Sequence, residues 1–287
     1  MTISVSIVIP AKNEASSIGD VVKGVLEEVK GCQVMVVDDG SSDDTAMQAR
    51  LAGADVVSHP YSLGNGAAIK TGARKASGQV LVFMDGDGQH RPKDIPVLLA
   101  EYEKGFSMIV GARSSRHQAS LGRLLANTIY NKLSSWITGQ KIKDLTSGFR
   151  VVNAKKFREF LHLLPNSFSY PTTSTMAFFR AGYSVSYCPI EVLQREGDSH
   201  INVWKDGLRF LLIIFKVGTL FSPLKLFMPI SVSFFGMGFF YYMFTLFTEG
   251  RFTNMSALLF STSVIVFLIG LVSEQITTLI YMSRGED

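Results

Sequence analysis

Apolar and polar positions along the first half of the chain alternate between a strand period and a helix period. Short runs rich in β-branched residues are predicted as strands: Ile3–Ile9, Gln33–Val37, Asp55–Ser58, Gln79–Met84 and Ser107–Val110. Apolar residues recur at helical spacing from Ile18 to Val29, between the first two runs. Further helices are predicted to begin near Ser41–Asp44, after Gly64-Asn65-Gly66 and after Pro92. This alternation predicts an α/β fold with a mostly parallel sheet, whose ligands bind where the strands end.

The C-terminal part of the chain has a different pattern, with two long runs that carry no charged residue. These runs extend from Leu226 to Thr248 and from Phe252 to Ser273. Each exceeds the roughly 20 residues that a helix needs to cross the hydrocarbon core of a bilayer. The polar stretch Glu249-Gly250-Arg251 predicts a tight turn between them. The pattern therefore predicts a helical hairpin in a membrane. Glu274, near the end of the second run, is expected to snorkel or to pair with a cytoplasmic basic residue.

Two further segments combine an apolar face with basic residues. Leu121–Trp136 is predicted to be an amphipathic helix, and either core packing or an interfacial position would suit it. Ile201–Leu220 leads into the first uncharged run and carries Trp204 beside basic residues, which favours an interfacial helix. The chain is thus predicted to comprise an α/β domain (1–200), a juxtamembrane amphipathic helix (201–222) and a transmembrane hairpin with a short tail (223–287).

Charge and cysteine content restrict the compartment and the partners. Basic residues precede the first uncharged run, which by the positive-inside rule predicts a cytoplasmic domain and tail. The N-terminus shows no signal peptide, and the two cysteines fit a reducing compartment. The net charge of +4 suits an anionic lipid surface better than nucleic acid. Gly236 and Gly238 are weak support for helix pairing, so a homo-oligomer remains open.

A pair of carboxylates follows the fourth predicted strand. Asp85 and Asp87 are one residue apart in a turn, with Gln89 two residues further on. Such a pair can bind one hard cation, and Mg²⁺ or Mn²⁺ with few protein oxygens suits a nucleotide diphosphate site. A polar Asp-Gly turn without a ligand is the alternative. An EF-hand is excluded because Pro96 would occupy the twelfth loop position.

Two other polar turns follow strands that are expected to lie beside this one. They are Pro10–Glu14 after the first strand and Asp38–Asp43 after the second. Three such turns at three strand ends would face one crevice, and their like charges require a cation or hydrogen-bond donors. Each turn alone would suit a purely structural role.

The segment Gly64–Thr71 resembles a nucleotide-binding loop only superficially. Lys70 lacks the preceding glycine of a Walker A motif, and Ile69 occupies the third glycine position of the Rossmann fingerprint. What remains is a turn that opens a helix, whose backbone N–H groups can meet an anion. An ordinary start of a helix is an equally good interpretation.

Five motifs in order along the chain resemble family 2 glycosyltransferases of the Rossmann-like GT-A fold. The general motifs are Val8–Glu14, Val37–Ser41 and Asp85–Asp87. Asp144–Arg150 and Arg195–His200 resemble the branch of dolichyl-phosphate mannose synthases and polyprenyl-phosphate glycosyltransferases, which includes members with a C-terminal pair of spans. The processive-synthase signature Gln-x-x-Arg-Trp is absent from the sequence, which favours transfer of a single sugar.

The resemblance implies roles for individual residues. A nucleotide-sugar would contact Pro10, Ala11, Asn13, Glu14, Asp38, Asp39, Gly66, Lys70, Asp85, Gly86, Arg195 and Ser199. Asp85, Asp87 and Gln89 would hold Mg²⁺ or Mn²⁺, and Arg113, Ser147 and Arg150 would receive the acceptor phosphate. Asp87, Arg113 and Arg195 are the predicted catalytic residues. Gly86 replaces a frequent Ala, a change expected to be harmless, and His200 replaces a frequent Lys.

The expected reaction is attack by a polyprenyl phosphate oxygen on the anomeric carbon of a nucleotide-sugar, with inversion. A lipid phosphate is largely ionised at neutral pH and needs no strong general base. A lipid alcohol as acceptor would need one, and Asp144 is the candidate. An ion-pairing role for Arg150 and an inactive membrane scaffold also remain open. GDP-mannose and UDP-glucose are both compatible with the sequence.

Overall fold

The computed structural model describes residues 3–113, 121–166, 170–192, 215–216 and 218–282, with the backbone alone at 121–127, 129 and 280–282. The chain forms two compact units. One comprises Met1–Lys132 and Gln140–Val203, and the other comprises Leu133–Gly139 and Trp204–Asp287.

The first unit is built on one seven-stranded sheet with the order β3-β2-β1-β4-β6-β5-β7. Only β6 runs antiparallel to its neighbours, so the predicted mostly parallel α/β sheet is confirmed. The strands are β1 Val5–Ala11, β2 Gln33–Asp38, β3 Asp55–Ser58, β4 Val80–Phe83, β5 Met108–Arg113, β6 Arg150–Asn153 and β7 Val185–Ile190.

Helices flank the strands along the chain. They are α1 Ile18–Glu28, α2 Thr45–Leu51, α3 Asn65–Lys75, α4 Ile95–Tyr102, α5 Leu121–Thr138, α6 Ala154–Glu159 and α7 Tyr170–Arg180, and a short 3₁₀ helix Pro92–Asp94 precedes α4. From Leu133 onward, α5 belongs to the second unit. The apolar face of α1 is buried against β1, β2 and β4, as its spacing predicted. At the start of α2, Asp43 rather than Asp44 accepts the backbone N–H of Thr45, at 3.1 Å.

The strand β6 was not predicted from the sequence. It inserts between β4 and β5, and Val151 and Val152 are both fully buried in the sheet. Among the predicted amphipathic segments, α5 is confirmed as a helix that buries Tyr130 and Ile137 while Trp136 is 49% exposed. Most of the predicted juxtamembrane helix 201–222 lies outside the described residues, but 215–216 and 218–221 are helical.

In the second unit, α8 Pro223–Glu249 and α9 Asn254–Met282 are both long and apolar enough to cross a membrane. Gly250, with φ of 65°, ends α8 at the predicted turn. A Cβ on Gly238 would lie 3.1 Å from Leu259, and one on Gly270 would lie 2.7 Å from Phe227, so the two helices are closely packed. Glu274 accepts the backbone N–H of Leu224 at 3.3 Å, a contact the sequence did not predict.

The same helix pair contains a reciprocal contact between two buried serines. Ser231 Oγ donates to the carbonyl of Ser263, and Ser263 Oγ donates to the carbonyl of Ser231, both at 2.9 Å. The hydroxyl oxygens are themselves 3.1 Å apart. Both residues are at most 6% exposed.

Candidate functional site

A cavity of about 360 Å³ lies where β1, β2 and β4 end. These strands are neighbours in the sheet, so the three polar turns meet at one edge, as the sequence predicted. The lining residues are Pro10, Ala11, Lys12, Glu14, Asp39, Ser62, Gly64, Asn65, Ala68, Asp85, Gly86 and Asp87.

The turn after β4 brings two carboxylates to the cavity. Burial raises the pKa of Asp85, Asp87 raises it further, and His90 and Arg113 oppose both effects. Asp87 Oδ1 accepts the backbone N–H of Gln89 at 3.1 Å, which closes the turn. Gln89 follows the pair but is not among the residues that line the cavity.

This donor set fits a hard divalent cation. Two neighbouring, half-buried carboxylates repel each other, and a positive ion between them relieves this repulsion. Within the described part of the chain, no three His, Cys, Asp or Glu side chains are grouped to hold a metal. A cation at Asp85 and Asp87 would therefore take its remaining oxygens from Gln89, from water or from a ligand.

Two glycines approach this turn closely. A Cβ on Gly86 would lie 3.3 Å from both Ile18 Cδ1 and the Pro10 carbonyl oxygen. Alanine there would require these neighbours to shift by a few tenths of an ångström, so the turn is closely packed around Gly86. A Cβ on Gly148 would lie 3.2 Å from Asp85 Oδ2 and from the hydroxyl of Tyr170. Gly148 thus forms a wall behind Asp85, and Tyr170 donates to its carbonyl at 3.0 Å.

The two aspartates after β2 differ in their surroundings. Asp38 is 6% exposed, and its Oδ1 accepts the backbone N–H of Ser41 at 3.1 Å. It does not line the cavity, whereas Asp39 does. Burial favours protonation of Asp39, but hydrogen bonds led by that from His59 hold its pKa below the ordinary value. Asp39 is therefore a carboxylate in the cavity wall.

The turn after β1 contributes four residues to the cavity wall, of which two, Lys12 and Glu14, are charged. Asn13 is in the left-handed region, with φ of 56°, and its Oδ1 accepts the backbone N–H of Ser42 at 2.9 Å. Glu14 donates its backbone N–H to Thr45 Oγ1 at 2.8 Å. Pro10, Ala11 and Glu14 line the cavity as expected, but the side chain of Asn13 ties the β1 turn to the β2 turn instead.

Gly66 and Lys70 do not line the cavity, in contrast to their predicted role in nucleotide binding. Gly66 is buried as the second residue of α3. Lys70 Nζ donates to the Leu164 carbonyl at 3.1 Å and to Asn166 Oδ1, so its side chain holds the segment before α7. Asn65, which the sequence analysis did not single out, lines the cavity instead, and its buried Oδ1 accepts no hydrogen bond from the described residues.

Arg113, at the end of β5, forms a two-point ion pair with Asp144. Its Nε is 2.9 Å from Oδ2, its Nη2 is 3.0 Å from Oδ1, and Nη2 also donates to Thr146. Burial favours loss of its proton, but the bonds to Asp144 and the charge of Asp85 raise the pKa of Arg113. The guanidinium is 34% exposed and is therefore a fixed cation that a ligand can reach.

Arg150 has a different environment from the one its predicted role requires. It is fully buried, and its nitrogens donate to Ser147 and Leu145 carbonyls and to Thr175 Oγ1. A guanidinium enclosed in this way cannot receive an acceptor phosphate, so that prediction is corrected to a structural role. Ser147 is 2% exposed, and its Oγ has no partner among the described residues.

Three residues of the last motif, Arg195, Ser199 and His200, lie outside the described residues. Sequence reasoning also missed residues that the structure places at the cavity or behind it. Lys12, Ser62 and Asn65 line it, His59 contacts Asp39, and Tyr170 lies behind Asp85. The loop Gly64-Asn65-Gly66 was a signal for Asn65, and the turn Pro10–Glu14 was one for Lys12. Ser62, His59 and Tyr170 had no signal of their own.

Comparison with known proteins places these features in a family. Residues 6–161 match the model of Glycosyl transferase family 2, and residues 222–279 match that of the GtrB C-terminal hairpin. A solved structure of Mycobacterium tuberculosis glucosyl-3-phosphoglycerate synthase, in complex with Mn²⁺, uridine diphosphate and phosphoglyceric acid, is similar in fold. It has a TM-score of 0.63 and 21% identity, covering 76% of this chain and 79% of that one.

Curated relatives match the chain over different shares of its length. An undecaprenyl-phosphate 4-deoxy-4-formamido-L-arabinose transferase from Pseudomonas fluorescens is 29% identical, covering 82% of this chain and 75% of its own length. Glycosyltransferase AglJ from Haloferax volcanii is 27% identical, with 77% and 74% covered. A dodecaprenyl-phosphate galacturonate synthase from Rhizobium johnstonii is 30% identical over 55% of this chain and 50% of its own. The chain, a GT-A-type α/β domain followed by a membrane hairpin, belongs to glycosyl transferase family 2.

Proposed function

We propose that this protein transfers a single hexose from a nucleotide-sugar to a polyprenyl phosphate, with inversion, at the cytoplasmic face of a membrane. The observation that carries the proposal is the cavity at the ends of β1, β2 and β4, with Asp85 and Asp87 in its wall, in a chain that also carries the hairpin. The names of relatives that act on undecaprenyl and dodecaprenyl phosphate support the acceptor class.

The cavity residues suit the donor half of the reaction. Pro10, Ala11 and Asp39 all line the cavity of about 360 Å³, which we assign to the nucleoside. Asp85 and Asp87 would hold Mg²⁺ or Mn²⁺, which when bound neutralises the charge that develops on the departing diphosphate. Arg195 is proposed to contact the same diphosphate, on the resemblance alone.

The acceptor half is assigned to Arg113. Its guanidinium is partly exposed and lies close enough to Asp85 for their charges to interact, so a phosphate bound to it would lie beside the donor site. Arginine binds phosphate through paired N–H donors, and a fixed guanidinium orients the attacking oxygen. The phosphate is already anionic near neutral pH, so the attack requires no proton transfer to a protein base.

The state of Asp144 favours a phosphate acceptor over an alcohol. Burial would raise the pKa of Asp144, but hydrogen bonds and charge from Arg113 hold it below the ordinary value. Its oxygens also accept the backbone N–H groups of Thr146 and Ser147, both at 3.1 Å. A carboxylate with so low a proton affinity is a poor general base, and this argues against the role that a lipid alcohol would demand.

The deciding experiment is sugar transfer by the purified full-length chain in detergent. Radiolabelled GDP-mannose and UDP-glucose are offered separately with undecaprenyl phosphate and Mn²⁺ or Mg²⁺. We expect label from one donor to enter an organic-soluble, acid-labile product, and none when the phosphate is replaced by undecaprenol. Transfer to diacylglycerol or ceramide but not to the lipid phosphate would refute the proposed acceptor class.

The proposed orientation has its own test. Inside-out and right-side-out vesicles from an expressing bacterium receive the labelled nucleotide-sugar from outside, since the donor does not cross the bilayer. We expect transfer in inside-out vesicles only. Transfer confined to right-side-out vesicles would place the domain on the other face.

A further inference from the structure

His59, which directly follows β3, is nearly buried and uses both of its ring nitrogens. Its side chain is 7% exposed. Nδ1 lies 2.8 Å from Asp39 Oδ1, and Nε2 lies 2.9 Å from Thr71 Oγ1 on α3. Because the pKa of Asp39 is held low, its oxygen is an acceptor and Nδ1 must carry the proton. His59 therefore connects the end of β2 to α3 through a defined pair of hydrogen bonds.

Asp39 in turn holds the loop that precedes α3. Besides His59, its carboxylate accepts Ser62 Oγ at 2.7 Å, the Leu63 N–H at 2.8 Å and the Gly64 N–H at 2.9 Å. Four donors fill the lone pairs that a carboxylate offers. Asp39 thus has little capacity left for a ribose hydroxyl, and its interactions shape the cavity wall instead.

The loop rests directly on the Asp39–Gly40 turn. A Cβ on Gly40 would lie 2.6 Å from the carbonyl carbon of Tyr61, so the two backbones are in contact. Gly64, with φ of 101°, then starts α3, and Ser62, Gly64 and Asn65 line the cavity. A shift of the Asp39 carboxylate would therefore move this wall, although His59 itself does not line the cavity.

We propose that His59 is a positioning residue for the donor site, which orients Asp39 and thereby fixes the wall from Ser62 to Asn65 for the nucleotide-sugar. The inference rests on the proposed function, because it assigns this wall to the donor. His59 touches neither substrate and takes part in no proton transfer. Its loss should weaken donor binding and leave acceptor binding unchanged.

The test compares His59→Ala and His59→Asn with the wild type. Loss of a hydrogen bond to a charged group corresponds to about a tenfold or greater change in an equilibrium constant. We expect His59→Ala to raise both the donor KM and the Kd for the nucleoside diphosphate about tenfold. The acceptor KM should change by less than about twofold. Asn presents an amide N–H near the position of Nδ1, so His59→Asn should recover most of the donor affinity.

Ser6→Ala is the matched control for a general loss of stability. Ser6 is fully buried on β1 at the end away from the cavity, donates to Gln33 Oε1 at 2.7 Å and accepts the Gly78 N–H at 2.8 Å. This variant should lower the Tm as His59→Ala does, yet leave the donor KM unchanged. Thermal unfolding and UDP or GDP titration calorimetry are measured on all four proteins in detergent.

The outcomes separate this inference from the proposed function. If the wild type binds UDP or GDP with Mg²⁺ and His59→Ala binds it equally well, the positioning role is refuted. If His59→Ala and Ser6→Ala raise the donor KM alike, the effect is one of stability and the inference also fails. If the wild type binds neither nucleotide and transfers no sugar, it is the proposed function that fails.

Discussion

Asp144→Asn tests whether the Arg113–Asp144 pair is a fixed platform for the acceptor. Asp144 is 7% exposed and accepts Arg113 Nε at 2.9 Å, Arg113 Nη2 at 3.0 Å and the Arg113 backbone N–H at 3.2 Å. The amide keeps the shape of the side chain but removes its charge. It also replaces one carboxylate oxygen by an NH₂ group, which then faces N–H donors that had bonded to that oxygen. Asp144→Asn should therefore loosen Arg113 without disturbing the residues that line the cavity.

The expected loss of stability in Asp144→Asn depends on the burial and the charge of the Arg113–Asp144 pair. Hydrogen bonds to a charged group contribute about 1.5–3 kcal/mol each, and removing one partner of a buried pair leaves the other uncompensated. Arg113 is one-third exposed, so water replaces part of the loss, and we expect a destabilisation of about 2 kcal/mol. For a domain of this size that corresponds to a fall in Tm of about 4–8 °C.

The pH dependence has a defined sign. The pKa of Asp144 is lowered in the folded protein, chiefly because the bonds and charge of Arg113 outweigh burial. Its contribution to stability is therefore present above the unfolded pKa, about 3.9, and is lost as the pH falls through the lower folded value. The stability gap between wild type and Asp144→Asn should be full at pH 7 and should close below about pH 4.

The assay is denaturant unfolding of the full-length chain in detergent, in a double-mutant cycle with Arg113→Met. Thr146→Val is the control, because it removes one hydroxyl that contacts both members of the pair but leaves both charges in place. In parallel, the polyprenyl phosphate KM should rise in Asp144→Asn while the donor KM stays constant. Strict additivity in the cycle, or a stability gap that persists unchanged at low pH, would refute the reasoning.

Three further predictions follow from the site and the core. Asp87→Asn should abolish transfer and metal-dependent nucleotide binding with little change in Tm, and full activity of the wild type in a chelator would rule out the metal role. Lys70→Met should lower the Tm but leave the donor KM unchanged, because Lys70 binds the segment before α7; a raised donor KM would return Lys70 to the site. Gly72→Ala should destabilise by about 1–3 kcal/mol in denaturant unfolding, since its Cβ would lie 2.2 Å from Val8 Cγ1. Gly19→Ala, with open space around it, is the control and should be neutral or stabilising.

The parts of the fold that the sequence predicted are those with a periodicity of their own. β1 to β5, α1 and α5 each show it within one segment, the hairpin shows two uncharged runs, and the starts of α2 to α4 were marked by turn and capping residues. β6 does not, because it has four residues and begins with Arg150. The buried guanidinium of that arginine donates to the carbonyls of Ser147 and Leu145. It also donates to Ser174 and Thr175 from α7, and these partners are distant in the sequence and have no local pattern.

The site residues differ in the same way, between those fixed by local sequence and those fixed by distant residues. Asp85 and Asp87 were predicted because a turn at a strand end fixes both carboxylates locally. The direction of Lys70 depends on Leu164 and Asn166, which lie far along the chain, so its role was predicted wrongly. His59 gave no signal, since its importance arises only when β2, β3 and α3 bring Asp39 and Thr71 to its two nitrogens.

The serine pair of the hairpin has a consequence for how the two helices align. In a bilayer, an apolar side chain gains little free energy when it leaves the lipid tails to contact another apolar side chain. Close packing at small residues and interhelical hydrogen bonds therefore hold the helices together. Contacts between α8 and α9 occur at three levels along the helix interface: at Gly238, at the Ser231–Ser263 pair and at Gly270. Sliding α9 by one residue would part both hydroxyls at once and drive side chains into the glycine contacts. The hairpin therefore has one preferred alignment, and its helices can enter a bilayer as a matched pair.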